Sequence, residues 1–402
     1  MCFTAVILIN DNLQASQRTK RNVIHARIVT FMICIVLHIK SNLSKFDKNK
    51  FTIQPIYMKF ILFICLFFAT QAIFGQNISV VNNESTLFEL ENPNGKIDFL
   101  VIDPDPHRKK PLFLFCQGSL PLPLYFNYKK EGLSLFGGGL TNFNYQDIIK
   151  SYHLVVISMP ETPVIVDESQ LNDSYWYYGD SKDKNTPSIA YQKADYLDNY
   201  VNRAVAVLDY LSRQPWVDNS QLVVFGHSQG GHVAAKLANR YKKISKLGLS
   251  GTNIFGRIDQ DIRQAKRDVQ KVKITWQQAA QKIEQTYAFY KDANSPEKLK
   301  NNPNLRSWKS FSQPAIDELL AFNKPIYLVF GTEDIVAELN DLVPLYFIRN
   351  QKSNLTIKRY YNQEHNYFEV QNDGRPDYNK PHWNEVMNGF LAWTLESNKT
   401  NK

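Results

Sequence analysis

The sequence predicts an α/β protein whose central sheet is mostly parallel, is flanked by helices and carries a helical cap insertion. Three observations support this fold class. From residue 77 onward, short runs rich in β-branched and aromatic residues alternate with helical patterns. Several of these runs are almost continuously apolar, which is typical of strands buried on both faces. A glycine-flanked serine, at residues 226–230, separates one such run from a helical pattern.

Eight segments have the composition and the flanking turns of β-strands. They are residues 86–90, 97–102, 112–116, 154–158, 222–225, 244–249, 326–330 and 355–360. The segments 112–116 and 222–225 are the most apolar, so we expect them near the centre of the sheet.

Apolar residues at helical spacing predict a helix that leads into the strand at 222–225, and a second helix near the C-terminus. Between the strands at 244–249 and 326–330 lies an insertion in which Thr275 and Gln278 form a candidate capping box. We therefore expect a core of residues 77–250 and 324–397 and a helical cap of residues 251–323. No linker composition marks a second independent domain.

The composition is that of a folded protein, with 44% hydrophobic and 21% charged residues in a chain of 402. The net charge of +9 would suggest an anionic partner. However, nine Lys and Arg against two Asp fall within residues 1–75, so most of the excess belongs to that segment. The remaining basic runs lack interleaved aromatic residues and any reader motif, so we expect no nucleic-acid partner.

Residues 58–75 have the layout of a secretory signal peptide, with a basic start, an apolar run and small residues before Gln76. The apolar run is about half of the roughly 20 residues that cross a bilayer, so we expect no stable membrane anchor. The sequence thus predicts a secreted or periplasmic protein. Residues 1–57 are a leader of doubtful translation; a membrane-associated arm and a longer cleaved leader remain alternatives. Cys116 is the only cysteine after this region.

Residues 226–230 read Gly-x-Ser-x-Gly and stand between a buried strand and a helical run. This pattern predicts a sharp strand-to-helix turn that exposes the hydroxyl of Ser228 on a strained backbone. Gly226 and Gly230 are then required because only glycine permits such close packing. The alternative is a serine in an ordinary glycine-rich turn.

A serine hydroxyl is a poor nucleophile, so it needs a histidine base and an acid that orients the histidine. Asp334 follows the strand at 326–330, and His365 follows the strand at 355–360. His365 is the only histidine that follows a strand downstream of both the serine and the acid. Glu333 remains the alternative to Asp334, since it is the adjacent carboxylate.

Acyl-transfer chemistry also needs hydrogen-bond donors for a developing oxyanion. The backbone N–H of Gln229, directly after the serine, is one candidate. The N–H of Ser119, in the loop after the strand at 112–116, is the second, and an ordinary tight turn is the alternative there.

The segments Gly226-His-Ser-Gln-Gly-Gly231, Gly331-x-x-Asp334 and Glu364-His365-Asn366 together resemble the α/β-hydrolase superfamily. This resemblance spans roughly residues 85–397. It implies a nucleophilic serine, a covalent acyl-enzyme and hydrolysis by water, with no metal and no organic cofactor. One departure is Gln117, which stands where many members carry a histidine.

No nucleotide-binding glycine motif is present, and His227 and His232 do not have the spacing of a zinc pair. The sequence therefore predicts an exported serine hydrolase that cleaves carboxylic esters with a small-molecule or lipid-like acyl group. A peptidase or acylaminoacyl hydrolase on the same triad, and a catalytically silent binding protein, are the alternatives. We further expect some aromatic residues of the cap to roof the pocket, the candidates being Trp276, Tyr287, Phe289 and Tyr290; the alternative is that they only hold the cap in place.

Overall fold

The computed structural model describes residues 76–82, 84–92 and 95–396. The predicted leader, residues 1–57, and the predicted signal peptide, residues 58–75, lie outside the described residues. Within the described part, no helix combines the length and the apolar character that a membrane span requires.

The described residues form fourteen strands and twelve α-helices. The strands are β1 (Gln76–Asn82), β2 (Ser85–Leu90), β3 (Ile97–Ile102), β4 (Lys110–Cys116), β5 (Tyr125–Tyr128), β6 (Gly132–Leu135), β7 (His153–Ile157), β8 (Ile165–Asp167), β9 (Val217–His227), β10 (Lys246–Ser250), β11 (Ile326–Gly331), β12 (Leu355–Tyr360), β13 (Phe368–Val370) and β14 (Pro376–Pro381). The helices are α1 (Gln146–Ile149), α2 (Ile189–Ala194), α3 (Leu197–Leu211), α4 (Gln229–Arg240), α5 (Asp259–Gln270), α6 (Trp276–Ala293), α7 (Pro296–Asn301), α8 (Asn304–Phe311), α9 (Ile316–Ala321), α10 (Ala337–Asn340), α11 (Val343–Arg349) and α12 (Trp383–Leu395).

Nine of the strands form one sheet in the order β1-β2-β3-β7-β4-β9-β10-β11-β12. All neighbours from β7 to β12 pair in parallel, whereas β1, β2, β3 and β7 pair antiparallel with one another. The predicted α/β fold with a mostly parallel sheet is therefore confirmed. Helices α5 to α9 lie in the chain between β10 and β11, within the segment for which the sequence predicted a cap.

Each of the eight predicted strands overlaps an observed one, and six further strands were not predicted. The missed strands are β1, β5, β6, β8, β13 and β14. Five of them belong to short two- or three-stranded sheets, and β1 is one of the two edge strands of the main sheet. The residues of β14 begin and end with proline and are mostly exposed, so they lack the apolar run that marks a central strand.

The main sheet is buried on both faces, as successive residues of β9 demonstrate. Leu222 and Val224 belong to one hydrophobic cluster, which includes α3 and α4. Val223 and Phe225 point to the opposite face and belong to a second cluster, which includes α12. Burial on both faces explains why this strand is almost continuously apolar in the sequence.

Phe390 of α12 is the centre of the second cluster. It is fully buried, and its ring packs against those of Phe113, Phe225, Tyr327 and Trp393 at centroid distances of 4.7–5.8 Å. One side chain thus connects the last helix to β4, β9 and β11, the strands that lead to the site described below.

We expect Phe390→Ala to lower the free energy of unfolding by about 3–5 kcal/mol, because it leaves a cavity among four aromatic rings. Leu395→Ala is the matched control on the same helix, since Leu395 is 55% exposed. Its cost should stay within about 0.5 kcal/mol. Urea unfolding measures both values, and similar costs for the two variants would contradict this packing arrangement.

Candidate active site

Ser228 occupies a tight turn between β9 and α4, with φ 55° and ψ −122°. A non-glycine residue adopts such a positive φ only when the surrounding structure enforces it. Here the Ser228 N–H donates to the carbonyl of Ser250 on β10 at 2.8 Å, and the Gly231 N–H donates to the carbonyl of Ser228 at 3.1 Å. The turn therefore fixes the serine side chain above the end of the sheet.

The two glycines around Ser228 allow this turn to pack closely. A Cβ at Gly226 would lie 2.2 Å from the carbonyl oxygen of Gly230. A Cβ at Gly230 would lie 2.1 Å from the carbonyl oxygen of Cys116, at the end of β4. Both positions exclude any side chain, because the contacted atoms belong to the backbone and cannot move aside.

The structure brings Ser228, His365 and Asp334 into one hydrogen-bonded chain. His365 Nε2 lies 3.0 Å from Ser228 Oγ, and His365 Nδ1 lies 2.8 Å from Asp334 Oδ2. Asp334 is 1% exposed, whereas the adjacent Glu333 is exposed. The hydrogen bond of His365 Nδ1 goes to Asp334, and none is formed between His365 and the Glu333 side chain. The geometry thus favours Asp334 over Glu333 as the partner of His365.

Two loops position Asp334 and His365 relative to each other. Asp334 lies in the loop after β11, and His365 lies in the loop after β12. The Glu333 N–H donates to the carbonyl of Gln363 at 2.9 Å. A Cβ at Gly331 would lie 2.1 Å from that same carbonyl, so glycine is required where the loops meet. Backbone contacts between the two loops therefore help to position the acid and the base.

The electrostatic surroundings of His365 suit a general base. Burial lowers its pKa, but the charge of Asp334 and the hydrogen bond to it outweigh burial, and the pKa is raised above its ordinary value. His227 packs on His365 at a centroid distance of 4.8 Å. Burial, and secondly the charge of His365, hold the pKa of His227 well below its ordinary value. His227 is thus a neutral ring against which the base rests.

The two predicted oxyanion donors lie beside Ser228 in one pocket, which Ser119 and Gln229 both line. Gln229 is the first residue of α4, so its N–H belongs to the unpaired N-terminal donors of a 12-residue helix. A Cβ at Gly118 would lie 3.8 Å from Ser228 Cβ, which places the loop before Ser119 against the serine. The side chain of Gln117 donates to the carbonyl of Ile157 and so anchors this loop to β7.

The pocket has a volume of about 430 Å³ and opens directly onto Ser228 and His365. The cap contributes one polar face of α5 and its flanks, at helical spacing. These lining residues are Arg257, Gln260, Gln264, Arg267 and Lys271. The sequence analysis missed them, although their spacing of three or four residues was a visible signal of a shared helix face.

The expected aromatic roof is not found, since none of Trp276, Tyr287, Phe289 and Tyr290 lines this pocket. These residues belong to α6, which packs against α5. Phe289 meets Trp308 edge-to-face at 5.2 Å, while Trp276 and Tyr287 are more than half exposed. The prediction was wrong because α5, not α6, faces the serine.

Metal-binding side chains and the cysteine thiol are the other groups to consider within the described part of the chain. No cluster of three or more His, Cys, Asp or Glu side chains in this part could hold a metal ion. Cys116 is buried behind the site, and burial raises the pKa of its thiol to about 12. A neutral, inaccessible thiol is a poor nucleophile.

Comparison with known families gives one match, in which the sequence profile of the prolyl oligopeptidase family covers residues 190–396. The chain belongs to the prolyl oligopeptidase family. It is a serine hydrolase with the α/β-hydrolase fold, which confirms the resemblance inferred from the sequence motifs. The matched region contains the serine turn, the acid loop and the histidine loop.

Several solved structures of hydrolases are similar to this serine hydrolase. A candidate dipeptidyl aminopeptidase IV from Bacteroides ovatus matches at 12% identity and a TM-score of 0.46, over 79% of this chain and 36% of that one. Acetyl xylan esterase 1 from Thermoanaerobacterium matches at 15% identity and a TM-score of 0.44, over 80% of this chain and 86% of that one. The acylaminoacyl peptidase of Pyrococcus horikoshii matches at 12% identity and a TM-score of 0.42, over 75% and 39%. Comparison with curated proteins gives no match.

The raised pKa of His365 leads to a prediction about pH. A base must be unprotonated, so kcat/KM should rise with pH through a pKa above the ordinary histidine value. In Asp334→Asn the larger of the two charges that raise this pKa is lost and only that of Glu364 still opposes burial, so the rise should move to lower pH. The same variant should lower kcat by about 10⁴-fold, because the histidine loses the acceptor that fixes its tautomer.

Glu333→Gln is the matched control, since it removes the neighbouring carboxylate and leaves the bond to His365 in place. It should keep the wild-type pH midpoint and most of the activity. A folded Glu333→Gln protein that is less active than Asp334→Asn would show that Glu333 is the acid instead.

Proposed function

We propose that this chain hydrolyses carboxylic esters through an acyl-enzyme on Ser228. The observation that carries the proposal is the unbroken hydrogen-bonded chain from Ser228 Oγ through His365 to Asp334, at 3.0 and 2.8 Å, which ends in an open pocket. A pocket of about 430 Å³ has the size of a small-molecule site. The acyl group is a small-molecule or lipid-like one.

In the first step, Ser228 Oγ attacks the ester carbonyl and its proton passes to His365 Nε2. His365 Nδ1–H donates to the Asp334 carboxylate, which fixes the ring and stabilises the imidazolium that forms. The carbonyl oxygen becomes an oxyanion that accepts hydrogen bonds from the N–H groups of Gln229 and Ser119. The positive end of the α4 dipole adds to this stabilisation.

In the second step, the tetrahedral intermediate collapses and the alcohol leaves with the proton from His365 Nε2. The acyl group stays on Ser228 Oγ. A water molecule then attacks this acyl-enzyme while His365 takes its proton, and the carboxylic acid leaves as Ser228 regains its hydrogen. Each proton moves between Ser228, the substrate or water and one atom of His365, so this reaction requires no cofactor.

A second candidate function is amide or peptide hydrolysis on the same three residues. It is favoured by membership of the prolyl oligopeptidase family, whose description names a peptidase activity. The same catalytic groups serve both reactions, so the choice depends on the substrate that the pocket accepts.

A substrate panel separates the two functions. We expect p-nitrophenyl esters of short acids to be turned over with higher kcat/KM than aminoacyl p-nitroanilides. A fluorophosphonate probe should label Ser228, and Ser228→Ala should abolish both labelling and turnover. Ser228→Ala and His365→Ala should each lower kcat by roughly 10⁶-fold, and the double variant should lose little more, because the pair acts as a unit. Higher kcat/KM on the anilides would make the protein a peptidase.

We also propose that the protein is exported, on the basis of the basic, apolar and small-residue order of residues 58–75. Expression from Met58 in a secreting host should release a protein whose N-terminus lies near Gln76, as determined by N-terminal sequencing. A product that retains residues 1–57 would contradict the proposal.

A further inference from the structure

Arg257 is a cation in the active-site pocket whose hydrogen-bonding capacity is largely unused. It lines the same pocket as Ser228 and is half-buried. Its guanidinium stacks on Trp308 at 4.1 Å from the ring centroid. The one side-chain hydrogen bond of Arg257 among the described residues is a long one, 3.5 Å, to Gln229 Oε1. A guanidinium carries several N–H donors in a planar fork, so most of them lack a partner here.

Arg267, the other arginine of this wall, is in a different situation. It donates to the carbonyls of Glu333 and Asp334 at 3.0 and 2.8 Å, and it pairs with Glu338 at 3.0 Å. Its hydrogen bonds therefore hold the loop that carries the acid. Arg257 forms no salt bridge with any described residue. This contrast identifies Arg257, and not Arg267, as the arginine of this wall that is available to a substrate.

Two carboxylates, those of Asp195 and Asp261, act on Arg257 through their charge, but neither forms a salt bridge with it in the described structure. Asp195 accepts hydrogen bonds from Tyr200, Ser307 and Gln229, at 2.8–3.2 Å. These bonds use both of its carboxylate oxygens and hold the Gln229 side chain next to Arg257. Asp195 and Asp261 thus partly balance the charge of Arg257 from a distance, without a direct salt bridge to its guanidinium.

His232 is a buried, neutral side chain in the same part of the pocket wall as Arg257. It lines the pocket and is only 4% exposed, yet its Nδ1 has no hydrogen-bond partner in the described structure. Burial, and secondly the charge of Arg257, lower the pKa of His232 to about 4. Such a buried polar atom without a partner is costly unless a ligand or water satisfies it.

The remaining charges divide the pocket into two sides. Lys271 and Lys273 line it on the cap side, and neither forms a salt bridge with a described residue. The carboxylates of Glu333, Asp334 and Glu364 lie on the loop side, where Asp334 holds His365 and Glu364 accepts from the backbone of Asn366 and Phe368. The cap side is therefore cationic.

We propose that the substrate is an anionic ester, which carries a carboxylate close to the scissile bond, and that Arg257 binds this carboxylate. The inference rests on the proposed function and specifies its substrate class. Arginine suits the role because its planar fork binds a carboxylate through two parallel hydrogen bonds. Stacking on Trp308 holds the guanidinium in one plane, so little conformational entropy is lost on binding.

The test compares esters that differ only in charge. Mono-p-nitrophenyl glutarate and p-nitrophenyl 4-carbamoylbutanoate have the same acyl length, with a terminal carboxylate and a terminal amide respectively. The pair 4-acetoxybenzoate and 4-acetoxybenzamide places the same difference on the alcohol side. Rates measured with Ser228→Ala are subtracted as background. We expect kcat/KM to be about tenfold or more higher for the carboxylate in one of the two pairs, and that pair identifies the side on which the anion lies.

Arg257→Gln should lower this carboxylate-to-amide ratio by about tenfold or more, and Arg257→Lys should retain part of it. Because a ratio is measured, a general disturbance of Gln229 affects both substrates and cancels. Lys298→Gln is the charge-matched control, since Lys298 is 59% exposed outside the pocket, and it should keep the wild-type ratio. Equal kcat/KM within both pairs, or a ratio that Arg257→Gln leaves unchanged, would overturn the proposal.

Direct binding keeps this inference separate from the proposed function. Calorimetry with Ser228→Ala should detect binding of glutarate but not of glutaramide, and Arg257→Gln in that background should abolish it. If no ester is hydrolysed and the probe leaves Ser228 unlabelled, the proposed function fails while this binding result still supports or overturns the anion site. If Arg257→Gln does not fold, the same comparison with Arg257→Lys applies.

Discussion

The close packing of the β9–α4 turn against β4 and β10 is the constraint on which the site depends. Ser228 keeps its positive φ because the backbones of four segments meet there with no room for a Cβ at Gly226 or Gly230. The cost of the strained serine, of order 1–3 kcal/mol, is met by the two-sided burial of the sheet. A larger side chain at either glycine would displace the serine and the first N–H groups of α4 together.

The acid and the base depend on the same sheet in a simpler way. Parallel strands β9, β11 and β12 end at the same edge, so the loops that follow them converge, although the serine turn is more than a hundred residues from the other two loops in sequence. The contact between Glu333 N–H and the Gln363 carbonyl then joins two of these loops. The loops at the end of the central sheet thus carry the candidate catalytic residues, whereas the polar face of α5 forms one wall of the pocket.

Much of this arrangement could be predicted from the sequence, for physical reasons. Central strands are recognisable because burial on both faces demands continuous apolar residues, as in β4 and β9. Ser228 and Asp334 could be proposed because each closely follows such a strand. His365 could be proposed because it follows β12, whose composition indicated a strand although it lies at an edge of the sheet. The edge strand β1 and the exposed β14 could not, since partly solvated strands carry a weak pattern.

The pocket wall was also beyond the sequence-based prediction. The sequence suggested the aromatic residues of α6 as the roof of the pocket. However, a sequence does not tell which of two packed amphipathic helices faces the site. Arg257 was not singled out for the same reason, because its importance lies in its stacking on Trp308 and in its lack of a salt bridge with any described residue. These are properties of packing between segments about fifty residues apart, and no local pattern reports them.

The most direct test of the central claim is to trap the acyl-enzyme. The protein is mixed with a p-nitrophenyl ester and quenched in acid within milliseconds. Intact-mass measurement and peptide mapping then locate the bound acyl group. We expect a burst of nitrophenolate in proportion to enzyme and one acyl group on the peptide that contains Ser228. Turnover without a covalent adduct, or an adduct on another residue that persists in Ser228→Ala, would contradict the account.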